Sequence, residues 1–190
     1  MDNLSTARSV PPDLSAARRS APLVPSEAVR LLPAASRFTL RGGPAIMAAA
    51  GAAVGLKISD TPLRSVTEGD RAALWLGPDE QLLLTSVSDR DAMDHQLREA
   101  LSALPHSLVD VSHRQIALEV SGPRAENVLN AGCPLDLHIA AFPVGMCTRT
   151  VLGKCDIVLW RTGVETFRVE VWRSFADYAS RFLAEAGETL

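Results

Sequence analysis

The sequence predicts an α+β fold of two ferredoxin-like β-α-β-β-α units, in which helices cover antiparallel sheets. Short segments with alternating apolar and polar residues, typical of half-buried strands, are separated by segments with apolar residues at helical spacing. The two halves, about 36–112 and 115–187, each contain a strand, a helix that opens with Gly-Pro, a hairpin and a capped helix. Leu74-Trp75 and Leu159-Trp160 lie at similar places in these halves. We infer an internal duplication within one domain, 34–190.

Residues 1–33 precede this pattern and are rich in Pro, Ser, Ala and Arg. Five prolines interrupt any helix longer than a few turns, which predicts an extended N-terminal arm. Such an arm is either disordered or becomes ordered against a partner.

The first half begins with alternation over 37–41, which predicts a strand. Gly43-Pro44 then opens a helix, because the N–H that proline lacks is unpaired at the first helical position anyway. Gly51 or Gly55 can end this helix.

A hairpin and a second helix complete the first half. Segments 72–76 and 81–87 are predicted strands, and a Gly-Pro-Asp-Glu turn joins them. Ser88 and Asp91 resemble a capping box for the helix that follows. Its apolar face consists of Met93, Leu97, Ala100, Leu101 and Leu104.

The second half repeats this order. Strands are predicted at 108–112 and 116–120, and Gly122-Pro123 opens a helix that Gly132 ends. An irregular stretch follows, and then three strands and a helix with a single apolar stripe. The bounds are 133–144 for the irregular stretch and 146–152, 156–161 and 166–172 for the strands, with Ser174 as the cap of the helix and Gly187 as its end.

Composition excludes several classes of function. With 47% hydrophobic and 22% charged residues and a net charge of −3, the chain has no broad positive field, and we expect no nucleic-acid partner. The longest apolar stretch, 44–56, is too short to span a bilayer, so no membrane partner is expected. Three cysteines without a CxxC pair, and an N-terminus unlike a secretory signal, predict a cytoplasmic protein.

Motifs of catalytic or cofactor chemistry are missing from the sequence. The four histidines lack the spacing of a helix-borne metal site, and a metal shared by Cys133 and His138 would need further ligands. Neither a nucleotide-binding glycine loop nor a serine nucleophile elbow occurs. We therefore predict no catalytic, cofactor-binding or metal-binding residue on this chain.

The strongest polar cluster is Asp110-Val111-Ser112-His113-Arg114, which could bind a carboxylate or supply a base. The alternative is a strand end and turn that contacts neighbouring loops or a partner chain. Arginines on the last strands could form an anionic-ligand site, but the solvent face of a sheet is the commoner explanation. These arginines are Arg149, Arg161, Arg168 and Arg173. The predicted subunit interface consists of Asp110, His113, Arg114, Arg149 and Arg173.

Large aromatic residues are a further candidate group. Trp75, Trp160 and Trp172 are expected to be core or interface anchors rather than a stacking platform for a ligand.

Six motifs in order resemble the gamma subunit of heterotetrameric sarcosine oxidase, a relative of the folate-binding domain of the glycine-cleavage T-protein. The motifs are Trp75-Leu76-Gly77-Pro78-Asp79-Glu80, Asp110-Val111-Ser112-His113-Arg114, Gly132-Cys133-Pro134-Leu135-Asp136-Leu137, Phe142-Pro143 with Gly145, Thr148-Arg149-Thr150, and Arg173-Ser174-Phe175-Ala176-Asp177-Tyr178. The likeness covers most of 36–186 and implies a T-protein-like domain. Gln81 stands where the family leads us to expect a second tryptophan.

The resemblance implies a non-catalytic subunit of an oxidoreductase that demethylates sarcosine to glycine, passes the one-carbon unit to tetrahydrofolate and produces hydrogen peroxide. It also implies alpha, beta and delta subunits as partners. FAD, FMN, NAD, tetrahydrofolate and zinc are then expected in those subunits and not on this chain.

Two alternatives share the same fold. A free-standing folate-dependent aminomethyl or one-carbon enzyme would need a folate-contacting carboxylate in a deep central pocket. A folate-binding maturation factor would carry a Lys-Gly-Cys-Tyr-x-Gly-Gln stretch, whereas the cysteine here lies in Gly132-Cys133-Pro134-Leu135.

Overall fold

The computed structural model describes residues 28–189, which form two five-stranded antiparallel sheets. The N-terminal sheet has the order β3-β4-β5-β2-β6 and the C-terminal sheet has the order β1-β7-β10-β9-β8. In chain order the strands are β1 (Val29–Leu31), β2 (Ala35–Arg41), β3 (Ser65–Glu68), β4 (Arg71–Gly77), β5 (Glu80–Ser86), β6 (Ser107–Asp110), β7 (Gln115–Ser121), β8 (Cys147–Leu152), β9 (Cys155–Gly163) and β10 (Thr166–Trp172).

Two helices cover one face of each sheet. Helices α1 (Pro44–Val54) and α2 (Arg90–Leu101) pack on the N-terminal sheet. Helices α3 (Ala125–Asn130) and α4 (Ala176–Thr189) pack on the C-terminal sheet, and a 3-10 turn, Arg173–Phe175, precedes α4. The predicted α+β class with antiparallel sheets is confirmed.

The two sheets pack face to face, so the layers run helix, sheet, sheet, helix. Side chains alternate across a strand, which lets each sheet bury one face under helices and the other against its neighbour. Leu74 and Leu82 of the N-terminal sheet and Cys147 and Val158 of the C-terminal sheet form the apolar core between them. The described part of the chain therefore has three apolar cores, two under helices and one between the sheets.

The sheets are joined at one edge, where the segments before β3 and β8 meet. Arg64 and Met146 form an antiparallel bridge. The N–H of Ser65 donates to the carbonyl of Gly145 (2.8 Å), and the N–H of Cys147 donates to the carbonyl of Leu63 (2.9 Å). These bonds fix the relative position of the two halves and close that side of the cleft between the sheets.

Strand β1 was not predicted as a sheet strand. It comprises the last residues of the predicted arm, and Val29 and Leu31 pair with Val120 and Leu118 of β7. Residues 1–27 of the arm lie outside the described residues. Strand β3 was also not predicted, because SVTE lacks the apolar alternation of a half-buried strand.

The end of α1 is at one of the two predicted glycines, whereas the start of α2 differs from the prediction. Gly55, at φ 70°, ends α1. Gly51 stays inside α1, where a Cβ would lie 2.4 Å from the carbonyl oxygen of Leu56. The predicted capping box at Ser88 is wrong: Asp89 is the N-cap residue of α2 and makes no side-chain capping bond, because its carboxylate binds Arg71 and Thr85.

The last helix also differs. The predicted cap at Ser174 is wrong, since this residue lies within the 3-10 turn, and α4 continues past Gly187 to Thr189. Within residues 28–189, no helix has the length and apolar character needed to cross a membrane.

Candidate functional site

Three of the five predicted interface residues lie together where β7 begins and β10 ends. The turn from β6 to β7 carries His113 and Arg114, and the 3-10 turn after β10 carries Arg173. The N–H of Arg173 donates to the carbonyl of Arg114 (2.8 Å), and Nε of Arg173 donates to the carbonyl of His113 (3.1 Å). The two turns therefore form one continuous surface.

Aromatic side chains complete this surface. The guanidinium of Arg114 lies over the ring of Trp172, 5.5 Å from the ring centre, which is the geometry of a cation–π contact. Trp172 is 44% exposed and Phe175 is 38% exposed, although large aromatics are normally buried. We call His113, Arg114, Trp172, Arg173 and Phe175 the arginine–tryptophan surface.

A cavity of about 330 Å³ opens beside the arginine–tryptophan surface and runs between the two sheets. The C-terminal sheet and the turn before it contribute most of its lining, and Leu76 and Leu82 line it from the N-terminal sheet. The polar lining residues of the C-terminal half include Arg114, Gln115, Arg149 and Asp156. Gln115 is 6% exposed, and its Oε1 has no hydrogen-bond donor in residues 28–189. The cavity is the feature that most resembles a ligand site at this end of the molecule.

Arg149 belongs to this cavity but is already paired across the sheets. Its Nη1 donates to Oε2 of Glu80 on β5 at 3.0 Å. The hydrogen bond from Arg149 is the main reason that the pKa of Glu80 lies below its ordinary value. Arg149 therefore ties the two sheets together at the cavity mouth.

Asp110 lies apart from the other predicted interface residues and has structural partners. Its carboxylate accepts hydrogen bonds from Nε of Arg90 (2.8 Å) and from the N–H of Ser112 (2.8 Å). Burial raises the pKa of Asp110, but the bonds from Ser112 and Arg90 outweigh burial and hold it below its ordinary value. Asp110 thus fixes the start of α2 and the turn after β6.

Cys133 and His138 do not form a metal site with each other. The Cys133 thiol is buried 3.9 Å from the Thr150 hydroxyl, and Nδ1 of His138 accepts a hydrogen bond from the N–H of Ala140. Between residues 28 and 189 the structure has no cluster of three or more His, Cys, Asp or Glu residues that could hold a metal ion.

The explanation of Arg161 and Arg168 as residues on a solvent face is wrong. Arg161 has a 1% exposed side chain under α3, where it donates to the carbonyls of Leu137 (2.7 Å) and Phe142 (3.0 Å) and pairs with Glu126. Arg168 points into the interface between the sheets, where it pairs with Glu170. Arg161 is therefore covered by α3, whereas Arg168 lies on the sheet face that packs against the other sheet.

The ion pair of Arg37 and Glu170 across the sheets was missed by sequence reasoning. Nε of Arg37 lies 2.6 Å from Oε2 of Glu170, and the two side chains are 2% and 0% exposed. A signal was present in the run Leu82-Leu83-Leu84, because consecutive apolar residues are typical of a strand that is buried on both faces. Polar residues on such a sheet must then be paired inside.

Known proteins similar to this chain match it over most of its length. Residues 41–189 match the model of the family described as "Sarcosine oxidase, gamma subunit family". The chain is 33% identical to sarcosine oxidase subunit gamma of Corynebacterium sp. (strain U-96), over 98% of this chain and 92% of that protein. It is 34% identical to the subunit gamma of Arthrobacter sp, over 76% of this chain and 69% of that protein.

Solved structures extend the comparison to the fold. A chain of the heterotetrameric sarcosine oxidase from Corynebacterium sp. U-96, in complex with pyrrole 2-carboxylate, superposes with a TM-score of 0.80 and 31% identity. The match covers 85% of this chain and 83% of that one. The glycine cleavage system aminomethyltransferase T from Bartonella henselae matches with a TM-score of 0.63 over 82% of this chain and 44% of that one, and its 13% identity shows the fold alone.

Proposed function

The chain belongs to the sarcosine oxidase gamma subunit family, and on that premise we propose that it is a non-catalytic, structural subunit of the heterotetrameric enzyme. Membership confirms the resemblance inferred from the six motifs. The enzyme is an oxidoreductase, which the family resemblance leads us to expect to demethylate sarcosine with tetrahydrofolate as acceptor.

The proposal rests on the observation that most polar side chains of the candidate site are already bound by other parts of the same chain. Asp110, Arg149 and Arg161 are occupied by neighbouring elements of the chain. His113, the only histidine of the polar cluster, forms no hydrogen bond through its ring with the residues described, so no carboxylate orients it as a base. Asp110, Arg149 and Arg161 therefore hold the fold together, and we assign the chemistry to other chains.

We propose that the arginine–tryptophan surface docks on a larger subunit. Trp and Arg are the residues most often found as anchors of protein interfaces, and here they form a stacked pair on a surface that is exposed in the isolated chain. The guanidinium of Arg114 has no carboxylate partner within residues 28–189 and can pair with one on the partner. The alpha, beta and delta subunits are the expected partners.

The proposed division between a structural chain and catalytic subunits also applies to the cofactors. We propose that FAD, FMN, NAD, tetrahydrofolate and zinc are bound by those subunits. The three cysteines are free thiols, which supports a reducing, cytoplasmic location for the complex.

A folate-dependent enzyme is the second candidate, because a cavity does exist between the sheets. Asp156 is the carboxylate that lines it, and this residue is exposed near the start of β9 rather than deep inside. This position argues against the deep carboxylate that the alternative requires.

Coexpression with the larger subunits tests the structural role. We expect one stable complex that contains flavin and oxidises sarcosine, whereas the chain purified alone has no flavin absorbance and no turnover. Trp172→Ala and Arg114→Ala should each weaken assembly about tenfold or more, as expected for interface anchors. Arg181→Ala, an exposed arginine on α4, is the matched control and should assemble normally.

Two results would contradict the proposal. Stoichiometric flavin or sarcosine turnover on the isolated chain would place chemistry on it. Normal assembly of both surface variants would remove the arginine–tryptophan surface from the interface.

A further inference from the structure

Trp160 and Arg168 are directly opposite each other on β9 and β10, and both point between the sheets. Nε1 of Trp160 and Nη2 of Arg168 are buried, and neither makes a hydrogen bond of ordinary geometry within residues 28–189. Oε1 of Glu170 lies 2.7 Å from Nη2 and accepts a hydrogen bond from Nε of Arg168 at 2.8 Å, so this carboxylate engages at most one of the two N–H groups of Nη2. Buried donors without an acceptor are rare in folded proteins and call for an explanation.

The charge around these donors is also unbalanced. Arg37 and Arg168 share the carboxylate of Glu170, and these three side chains are 2%, 17% and 0% exposed, in that order. Glu119 lies opposite Arg168 on β7, but its carboxylate binds the exposed Arg30. Two guanidinium groups and one carboxylate leave one positive charge in a region shielded from water, which is costly unless an anion or a hydrogen-bond acceptor lies nearby.

A cavity of about 370 Å³ opens beside the two donors, at the opposite end of the cleft from the arginine–tryptophan surface. Trp160 and Arg168 form one side, and the link between β1 and β2 forms another. Arg71 also lines the cavity, but it already binds the Asp89 carboxylate through Nε (2.7 Å) and Nη2 (3.0 Å). Asp70 is the one acidic side chain in the lining, and it is exposed in the β3–β4 turn.

We propose that this cavity binds a carboxylate, which accepts one hydrogen bond from Nε1 of Trp160 and one from Nη2 of Arg168. A carboxylate offers two acceptor oxygens in one plane and one negative charge, so it satisfies both donors and balances the shared Glu170. The carboxylate comes either from a small molecule or from a side chain of a neighbouring subunit. The site is separate from the arginine–tryptophan surface, so its test and that of the proposed docking can fail independently.

NMR of the full chain tests the proposal, because its three tryptophans give three indole N–H signals. Trp160→Phe assigns the signal of Trp160. Titration with sodium acetate should shift this signal to saturation, while the signals of Trp75 and Trp172 move little. Sodium chloride at equal ionic strength is the control and should leave all three signals in place.

Variants of the two donors sharpen the test. Arg168→Gln and Trp160→Phe should each weaken acetate binding about tenfold or more, since each loses one hydrogen bond to a charged group. Acetate binding to Trp160→Phe is measured by the rise in melting temperature, and Arg181→Ala should bind like the natural chain. The thermal midpoint without acetate shows whether each variant is folded.

The source of the carboxylate follows from the complex. If acetate shifts Trp160 in the isolated chain, a free carboxylate occupies the site. A second outcome is that acetate has no effect on the isolated chain, while folded Trp160→Phe and Arg168→Gln bind the other subunits at least about tenfold more weakly than Arg181→Ala does. In that case the carboxylate belongs to a partner subunit. Absence of both effects, or equal shifts with acetate and chloride, would overturn the proposal and leave water as the acceptor.

Discussion

The hairpins β4–β5 and β9–β10 occupy the same place in the two halves, but they present different chemistry to the cleft between the sheets. Counted from the turn, the third cross-strand pair is Leu74–Leu82 in the N-terminal sheet and Trp160–Arg168 in the C-terminal sheet. The fifth pair is Ala72–Leu84 in one and Val158–Glu170 in the other. The N-terminal hairpin therefore presents apolar side chains to the cleft, and the C-terminal hairpin presents a tryptophan, an arginine and a glutamate.

The two hairpins share a backbone arrangement but differ in the side chains that face the cleft. Both have an irregularity in register just before the turn. Arg168 and Glu170 stand where the N-terminal hairpin has Leu82 and Leu84, and Arg37 of β2 reaches Glu170 from the other sheet. The same contact that stabilises the pair joins the two halves.

Glu170→Gln should produce the largest effect, since it leaves Arg37 and Arg168 without their shared carboxylate. Removal of one partner from a buried ion pair costs about 3–5 kcal/mol, and we expect a loss of that size in the free energy of unfolding, measured with urea. Leu84→Met, at the equivalent position of the other hairpin, is the control and should cost less than about 1.5 kcal/mol. Equal losses would show that the buried charges do not distinguish the halves.

Replacement of all three buried charged residues, Arg37, Arg168 and Glu170, by apolar residues tests the same comparison, because it makes the C-terminal hairpin resemble the N-terminal one. Arg37→Met, Arg168→Leu and Glu170→Leu together make the cleft apolar on both sides. Because replacement of buried ion pairs by packed apolar residues is often neutral or stabilising, the triple variant should recover the stability lost in Glu170→Gln. A triple variant less stable than Glu170→Gln would contradict this account.

The halves also differ in how each sheet obtains its outer strand. Strand β6 follows α2 and pairs with β2, whereas the equivalent place beside β7 is filled by β1 from the start of the chain. Deletion of residues 1–31 removes β1, including the 2% exposed Val29, and should lower the free energy of unfolding by at least about 2 kcal/mol. Deletion of 1–27 keeps β1 and is the control against which this loss is measured. Thermal and urea unfolding distinguish the two deletions, and equal losses would mean that β1 contributes nothing.

The order of strands and helices was predictable because it depends on local patterns. Thr166–Trp172 alternates clearly and forms the predicted strand, and Pro44 opens α1 as its chemistry requires. The similar fragments Leu74-Trp75 and Leu159-Trp160 also belong to equivalent hairpins. Their alignment is offset by one residue, since Trp160 is equivalent to Leu74 and not to Trp75.

The site could be predicted only in part, because its composition depends on contacts between distant segments. Proximity in sequence grouped Asp110 with His113 and Arg114, but strand geometry directs Asp110 toward Arg90 of α2. Arg37 and Glu170 are 133 residues apart in the sequence. A local sequence pattern cannot show which face of a sheet packs against a second sheet, so this pair could not be predicted. The arginine–tryptophan surface was partly anticipated through Arg114 and Arg173, because both lie at strand ends.

Acid should produce the smallest effect and should act first on the N-terminal half. Three carboxylates of that half, Glu80, Asp89 and Asp110, have a pKa below the ordinary value. For Asp89 the main cause is the hydrogen bond from Arg71, which ties α2 to β4. Because the pKa of these carboxyl groups is lower in the folded state than in the unfolded state, their charged forms stabilise the fold. This contribution is complete above the pKa of the unfolded state, which is about 3.9 for Asp. It is lost as pH falls below that value and through the folded-state pKa.

Asp89→Asn tests this expectation, because it removes the titrating group and keeps the size of the side chain. The variant should lose about 1 kcal/mol or less at pH 7, since Arg71 and Asp89 are partly exposed, and this difference should shrink as pH falls below about 4. Hydrogen exchange at acidic pH should show faster opening of α2 than of α4 in the natural chain, because protonation of Asp89 weakens its bond to Arg71, which ties α2 to β4. If α4 opens first, the ion pairs of the N-terminal half do not set its acid sensitivity, and the difference lies in the packing of the two helices instead.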